Sequence, residues 1–306
     1  MTLTELKYIV AVARERHFGR AAEACFVSQP TLSVAVKKLE EELDLKIFER
    51  GASEVSVTPL GEQIVRQAQQ VIEQAAAIKE IARLGKDPVS GPLHVGVIYT
   101  IGPYLLPDLV REAITRVPQM PLILQENFTA RLLEMLRVGE LDCAILAEPF
   151  PDAGLAMAPL YDEPFVAAVP TGHPLTKRKQ ISAEELKRET MLLLGTGHCF
   201  RDHVLEVCPE YARFASDAQG IRKSFEGSSL ETIKYMVASG MGVTVVPQLS
   251  VPKDTQPHIR YVPFAKPVPT RRVVLTWRRS FPRYEAIAAL RNAIYACALP
   301  GVTRLS

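Results

Sequence analysis

The chain has 306 residues, enough for two or three domains, and its 47% hydrophobic content leaves ample side chains for sizeable cores. A formal net charge of +2 marks it neither as a strongly basic nucleic-acid binder nor as an acidic protein. No run of eighteen apolar residues is present, which argues against a membrane-spanning helix, and the opening MTLTELKYIV has no secretory-signal pattern. These features predict a cytoplasmic protein. Its five cysteines, at 25, 143, 199, 208 and 297, are odd in number and unevenly spaced, unlike a secreted disulfide framework.

The first 58 residues predict short helices. Thr2 with Glu5 forms a capping-box pattern, followed by Leu6, Ile9, Val10 and Ala13 at helical spacing. Ala21, Ala22 and Cys25 give a second apolar face. Ser28 then caps a third helix, with Pro30 in its first turn and Leu32, Val36, Leu39 and Leu43 as its buried stripe. The opposite face shows Ser33, Lys37 and Lys38. Two helices joined by a short polar turn predict a helix-turn-helix, and Val55 with Val57 predicts a wing strand. Residues 1–58 hold eight Lys/Arg against nine Asp/Glu, a net of −1. Phosphate attraction must therefore come from placement: Arg20, Lys37, Lys38 and Arg50 toward DNA, and Glu40, Glu41, Glu42 and Asp44 away. The competing reading is a helical docking domain. Cys25 reads as core.

From Pro59 a single long helix is predicted to about residue 85. Ile64, Ala68, Val71, Ala75, Ile78 and Ala82 alternate steps of four and three, the 3.5-residue repeat of a coiled-coil seam. The competing reading is an amphipathic helix on its own domain. GKDPVSGP, at 85–92, predicts a hinge.

Beyond residue 92 the pattern turns α/β. PLHVGVI, LILQE, LDCAIL, FVAAV, MLLLG, VTVV and RRVVLTW predict strands, with helices at 102–117, 129–138, 183–187, 229–239 and 283–298. Ser182 with Glu185 and Ser228 with Glu231 are capping-box patterns. No phosphate loop, dinucleotide fingerprint or metalloprotease motif appears, so neither a cofactor nor a metal is expected. One segment stands out: GTGHCFRDHVLEVC, 195–208. Its two cysteines lie nine positions apart, and His198 and Arg201 beside Cys199 are expected to favour the thiolate. A reactive thiolate near a second thiol is the chemistry of a redox switch.

AAEACFVSQPTLSVAVKKLEEELDLKIFER resembles the winged helix-turn-helix of LysR-type transcriptional regulators, and GELDCAIL and SGMGVTVVP resemble their effector-domain signatures. The cysteine segment resembles that of the family's peroxide sensors. The resemblance spans nearly the whole chain. It implies an α+β multidomain protein: winged helix-turn-helix at 1–58, linker and dimerisation helix at 59–85, hinge at 86–92, and a two-lobed redox-sensing domain like periplasmic binding proteins at 93–306. Lobe I would hold 93–162 and 267–306, and lobe II 163–266. It also implies that Ser28, Gln29, Pro30, Thr31 and Ser33 lie at or near DNA, with Gln29 suited to adenine and Arg50 to phosphate. Implied partners are a double-stranded DNA operator, hydrogen peroxide, a thiol reductant system and RNA polymerase, in a homodimer or homotetramer away from membranes. Thr100 and Thr129 match positions where peroxide sensors place hydroxyls beside the reactive cysteine, and Asp202 and Arg271 are weaker candidates for proton transfer or loop orientation. The chain departs from the family at Cys25 and at Asp44, where Gly is frequent at a helix end.

Peroxide would oxidise Cys199 to a sulfenic acid, which Cys208 would condense with to form a disulfide. Phe200, Val204 and Cys208 lie on one helix face, so Cys208 is expected to be buried. Nine residues of helix separate the cysteines by about 13 Å, whereas a disulfide needs Cα atoms within about 7 Å. The segment must unravel to close the bond. Three alternatives stand beside this reading: a LysR-type regulator of a small organic effector, a metal sensor using Cys199, His203 and Cys208, and a thiol peroxidase enzyme. Amide hydrogen exchange over 199–208 should differ strongly between reduced and oxidised protein, and equal protection in the two states would contradict the unravelling.

Overall fold

The computed structural model describes residues 1–50, 55–84, 89–209, 224–227, 229–252, 254 and 256–305, without side chains at 50, 77, 79–84 and 224–227. The chain divides into two compact units, Met1–Lys86 and Asp87–Ser306.

In the first unit, α1 (Leu3–Glu15) opens on the capping box: Glu5 N–H donates to Thr2 Oγ1 at 3.2 Å, and Thr2 N–H to the Glu5 carboxylate at 2.7 Å. α2 (Phe18–Ala24) is capped by His17, whose Nδ1 accepts from the Gly19 and Arg20 amides. α3 (Gln29–Leu43) is capped by Ser28 and ends at Asp44, which takes the left-handed conformation at φ 51° without a glycine. β1 (Phe48–Arg50) and β2 (Val55–Val57) pair antiparallel as the wing.

Glu40 departs from the expectation of an outward-turned acid. Its buried carboxylate accepts from the Ile47 and Phe48 amides at 2.9 and 3.1 Å and from Lys46 Nζ at 2.9 Å, tying α3 to the start of the wing. Glu41 is not set apart from the basic residues either, lying 3.6 Å from Lys37, and Lys38 reaches Glu5 at 3.4 Å.

α4 (Pro59–Leu84) is one helix of 26 residues. Its apolar stripe splits. Ile64, Val65, Ala68 and Ile72 pack on the unit's own core, whereas Val71 and Ile78 are exposed. Only the latter part of the anticipated seam is left for another surface, because α1 lies against the former. The side chain of Ala82 and residues 85–88 of the expected hinge lie outside the described residues.

The second unit holds two cores joined by a long strand. β3 (Leu93–Ile98), β4 (Leu122–Asn127) and β5 (Cys143–Ala147) run parallel, with α5 (Gly102–Arg116) and α6 (Thr129–Arg137) in the connections. β6 (Leu155–Pro170) pairs antiparallel with β11 (Thr270–Arg278) up to Pro164, then with β9 (Thr244–Pro247) and β10 (Ile259–Pro263). The sequence pattern showed only the second half of β6, because Pro159 and Pro164 interrupt the first. Both are accommodated: Pro159 adjoins a register shift in the pairing with β11, and Pro164 sits where β6 changes partners. Around these sheets lie α7 (Ala183–Leu186), β7 (Met191–Leu194), α8 (Cys199–Val207), β8 (Ser224–Gly227), α9 (Leu230–Ala238), α10 (Tyr284–Ala296) and β12 (Thr303–Arg304). Ser229, not Ser228, caps α9 by accepting from the Thr232 amide at 3.1 Å; Ser228 lies outside the described residues. Arg283 donates to the carbonyls of Ser90, Gly91 and Pro92 and fixes the chain where it enters β3.

Glu40→Ala leaves two buried amides without acceptors, so a loss of about 1–3 kcal/mol is expected in thermal unfolding of the full chain. Burial raises the Glu40 pKa, but its hydrogen bonds and Lys46 outweigh this and hold it below the usual value. Its contribution is therefore present above the unfolded carboxyl value of about 4.3 and lost as pH falls through the folded one. Wild type and variant should converge in stability on acidification below about pH 4.

Candidate thiol site between the lobes

The site forms where elements of both lobes meet around α8. Gly197, at φ +100°, turns the chain after β7, and its Cβ position lies 3.4 Å from the Phe128 ring. His198 occupies the N-cap, so Cys199 is the first residue of α8. Phe200, Val204 and Cys208 are buried in the lobe II core, together with β7 and α9. Cys199 packs instead against the lobe I core. The two cysteines thus lie at opposite ends of one helix and against different cores, and neither is in a disulfide.

A cleft beside Cys199 is lined by Thr100, Thr129, His198, Tyr99, Asn127 and Phe128, among others, with about 10 Å³ open to the centre of a water-sized molecule. That suits a single very small guest. Thr100 is buried in the turn between β3 and α5, and its Oγ1 accepts from Arg271 Nη1 at 2.8 Å. Its own hydroxyl hydrogen remains to be donated. Thr129 is the first residue of α6, one position after the N-cap residue Phe128, which makes no side-chain capping bond. Its buried Oγ1 makes no hydrogen bond of ordinary geometry, yet it adjoins the Cys199 sulfur closely enough to stabilise the thiolate. The His198, Phe128 and Tyr99 rings cluster at the rim, His198 and Phe128 at 4.8 Å in T-shaped contact.

Arg271 organises the site. Its Nε and Nη2 meet Glu163 Oε2 at 2.9 and 2.8 Å, and Nη2 also donates to the Thr100 carbonyl at 2.9 Å. The other Glu163 oxygen accepts from the Leu249 amide at 2.8 Å. Both charged side chains are buried, and the guanidinium lies 5.2 Å from the centroid of the Phe200 ring.

The electrostatics correct the expectation that His198 and Arg201 favour the thiolate. Burial pushes the Cys199 thiol above its usual value; Arg271, the Thr129 hydroxyl and the Phe200 amide oppose that rise, and Asp202 adds to it. Arg201 lies two positions along the helix, about 200° around its axis, and side chains at that spacing do not face each other. His198 turns its ring into the aromatic cluster. Asp202 is exposed, while Arg271, a weaker candidate by the resemblance, is buried at the centre.

His203, on the same helix, is turned away from solvent. It is buried, with Nε2 2.7 Å from the Glu148 carbonyl oxygen. Cys199, His203 and Cys208 do not converge as metal ligands, and no cluster of three or more metal-ligating side chains occurs among the described residues. Sequence reasoning missed Glu163, Tyr99 and Phe128. No local signal marks Glu163, whose partner lies 108 positions away.

On the first unit, Ser28, Gln29, Pro30, Thr31 and Lys37 are exposed along the start and outer face of α3, and Ser33 is half-buried. Ser28 Oγ contacts Thr31 Oγ1 at 2.7 Å, and the Gln29 amide oxygen lies 3.6 Å from the Cβ position of Gly19 in α2. Arg20 is exposed and donates to the Glu15 carbonyl. The Arg50 side chain lies outside the described residues. Cys25 is half-buried at the end of α2 rather than fully within the core.

A helix-turn-helix unit followed by a two-lobed α/β unit defines a ligand- or signal-responsive DNA-binding regulator. Residues 3–62 match the bacterial regulatory helix-turn-helix proteins of the lysR family, and residues 86–296 match the LysR substrate binding domain. The chain belongs to the LysR family of transcriptional regulators. It is 40% identical over 292 residues to the hydrogen peroxide-inducible genes activator of Pectobacterium carotovorum subsp. carotovorum, covering 94% of this chain and 95% of that protein. It is 39% identical to the DNA-binding transcriptional dual regulator OxyR of Escherichia coli strain K12, covering 94% of each. Among solved structures, it resembles a full-length cysteine-to-aspartate variant of OxyR from Pseudomonas aeruginosa, with TM-score 0.75, 52% identity and coverage of 97% and 99% of the two chains. No described helix is long and apolar enough to cross a membrane.

Arg271→Met leaves the Glu163 carboxylate buried without its cation. A stability loss of about 3–5 kcal/mol is expected, with recovery in the Arg271→Met/Glu163→Leu double variant, read by denaturant unfolding. Removing the cation should also raise the Cys199 pKa further, so the pH profile of thiol alkylation at Cys199 should move to higher pH.

Proposed function

We propose that the chain is a hydrogen-peroxide-responsive transcriptional regulator in which Cys199 reacts with peroxide and then forms a disulfide with Cys208. The observation that carries this is the placement of one thiol in a cleft sized for a very small molecule, beside two threonine hydroxyls and a buried guanidinium, with the second thiol sequestered at the far end of the same helix.

The resting Cys199 is a thiol, and the reaction makes use of its proton. Thr100 and Thr129 orient the peroxide. The sulfur attacks one oxygen, the O–O bond breaks, and the departing oxygen takes the thiol proton, relayed through the Thr129 hydroxyl, and leaves as water. Arg271 stabilises negative charge on sulfur as that proton moves. His198 and the aromatic rings at the rim limit water. In the second step the Cys208 sulfur attacks the sulfenic sulfur, the S–O bond breaks, and a second water forms. Overall, two thiols and one peroxide give one disulfide and two waters.

The second step requires α8 to open. Withdrawing Phe200 and Val204 from the lobe II core costs about 1.5–3 kcal/mol each, so the helix is the favoured form once a thiol reductant system has cleaved the disulfide. Refolding of 199–208 would be felt through the domain organisation proposed from the sequence: DNA-binding 1–58, linker 59–85, hinge 86–92 and the sensing lobes. Arg20, Ser28, Gln29, Pro30, Thr31, Ser33, Lys37 and Arg50 would meet the operator. The exposed pair of Lys37 with Glu41 is worth little in water and can be surrendered to phosphate. The chain acts as a cytoplasmic regulator rather than an enzyme, assembled as a homodimer or homotetramer and working through RNA polymerase.

Alkylation and mass spectrometry after one equivalent of peroxide should find a Cys199–Cys208 disulfide. Cys208→Ser should stop at the sulfenic acid, and Cys199→Ser should leave peroxide essentially unconsumed. Rapid oxidation of Cys199→Ser at another thiol would refute the assignment.

A further inference from the structure

α8 presents different faces to the two lobes. Phe200, Val204 and Cys208, four residues apart, are buried in the lobe II core. Cys199 and His203, also four apart, both engage lobe I: the sulfur packs on its core, and His203 Nε2 meets the Glu148 carbonyl at 2.7 Å. Glu148 is itself fixed, since its amide donates to the Arg272 carbonyl at 3.0 Å and continues the pairing of β5 with β11. A carbonyl only accepts, so Nε2 carries the hydrogen and Nδ1 is bare. Nδ1 is buried and makes no hydrogen bond among the described residues. Its surroundings include the Phe165 ring on β6 and the Phe200 ring, at 6.1 and 6.4 Å between centroids.

We infer that His203 is a positioning residue for the thiol chemistry, a clasp that holds α8 against lobe I through Glu148, presents Cys199 to the cleft one helical turn away, and sets the rate at which α8 opens to release Cys208. The inference rests on the disulfide reading above. The clasp lies between the two thiols, so unwinding 199–208 breaks it, and its strength enters the second step directly.

The clasp also responds to pH. Burial holds the His203 pKa below its ordinary value of 6.5; the bond to Glu148 opposes this, the Arg271 charge on β11 adds to it, and Glu206 and Asp202 on α8 oppose it. Protonation would place a second N–H at Nδ1, which has no hydrogen-bond partner among the described residues. An opened helix takes that proton more readily than a folded one, so acidification below about pH 6.5 favours opening.

The test follows the two steps separately in the full-length protein, by sulfenic-acid trapping and by quenched alkylation with mass spectrometry, in wild type, His203→Gln and His203→Phe. Gln keeps an N–H for Glu148 but does not titrate; Phe fills the space without a donor. Disulfide closure in His203→Phe should be about tenfold faster than in wild type at pH 7.5, the effect of one lost hydrogen bond. Thiol ionisation slows closure in acid in every protein, so the ratio of wild-type to His203→Gln closure rates isolates the imidazole and should rise between pH 7.5 and pH 5.5. Unchanged hydrogen-exchange protection in β5 and β11 verifies that the variants fold. Closure at one rate in all three proteins, with a flat ratio, overturns the clasp. Absence of any Cys199–Cys208 disulfide in wild type overturns it together with the reading on which it rests.

Discussion

The buried pair of Arg271 and Glu163 is the interaction on which the second unit depends. Two charges with almost no exposure are tolerable only when every polar atom finds a partner. Here the guanidinium is shared between a carboxylate on β6 and both oxygens of Thr100, and the carboxylate's other oxygen takes the Leu249 amide. One ion pair thereby fixes the middle of the connecting strand, the turn after β3 and the approach to α8. The same cation faces the Cys199 sulfur and limits how far burial suppresses its ionisation. Structural and chemical roles coincide because a low-dielectric setting strengthens both.

Around that pair, α8 joins two cores. An ordinary amphipathic helix buries one face and wets the other. α8 buries one face in lobe II and sets residues of a second face, Cys199 and His203, against lobe I, so its length fixes the separation of the thiols. Oxidation then changes more than a sulfur. In the proposed switch, covalent closure at a distance the helix cannot span would convert a local bond into loss of packing in one core and of a polar contact in the other. Peroxide reduction supplies the driving force, and the apolar residues of α8 supply the restoring tendency after the disulfide is cleaved.

Much of this was legible from sequence. Five helices of the second unit were placed to within two residues, because their apolar periods and caps are local signals. Burial of Cys208 followed from its spacing to Phe200 and Val204. The first half of β6 was not legible, since prolines mask a strand whose partner accommodates them at an irregularity. Glu40 was misjudged because a carboxylate in an acidic run looks solvated until the amides it accepts from are folded against it. The thiolate environment departs from the sequence reading for a related reason: the cation that acts on the sulfur is not a sequence neighbour but Arg271, 72 positions along the chain.

By itself the sequence determined the family, the order of elements, the presence of two thiols on one helical segment and the distance that keeps them apart. These rest on periodicity, capping and motif, all carried within short stretches of chain. Tertiary structure alone decided which cation faces the sulfur, which carboxylate balances it, how much room the cleft offers and where His203 is anchored. Each of those is a contact between residues far apart in sequence, selected by the need to satisfy buried polar groups once the sheets have formed.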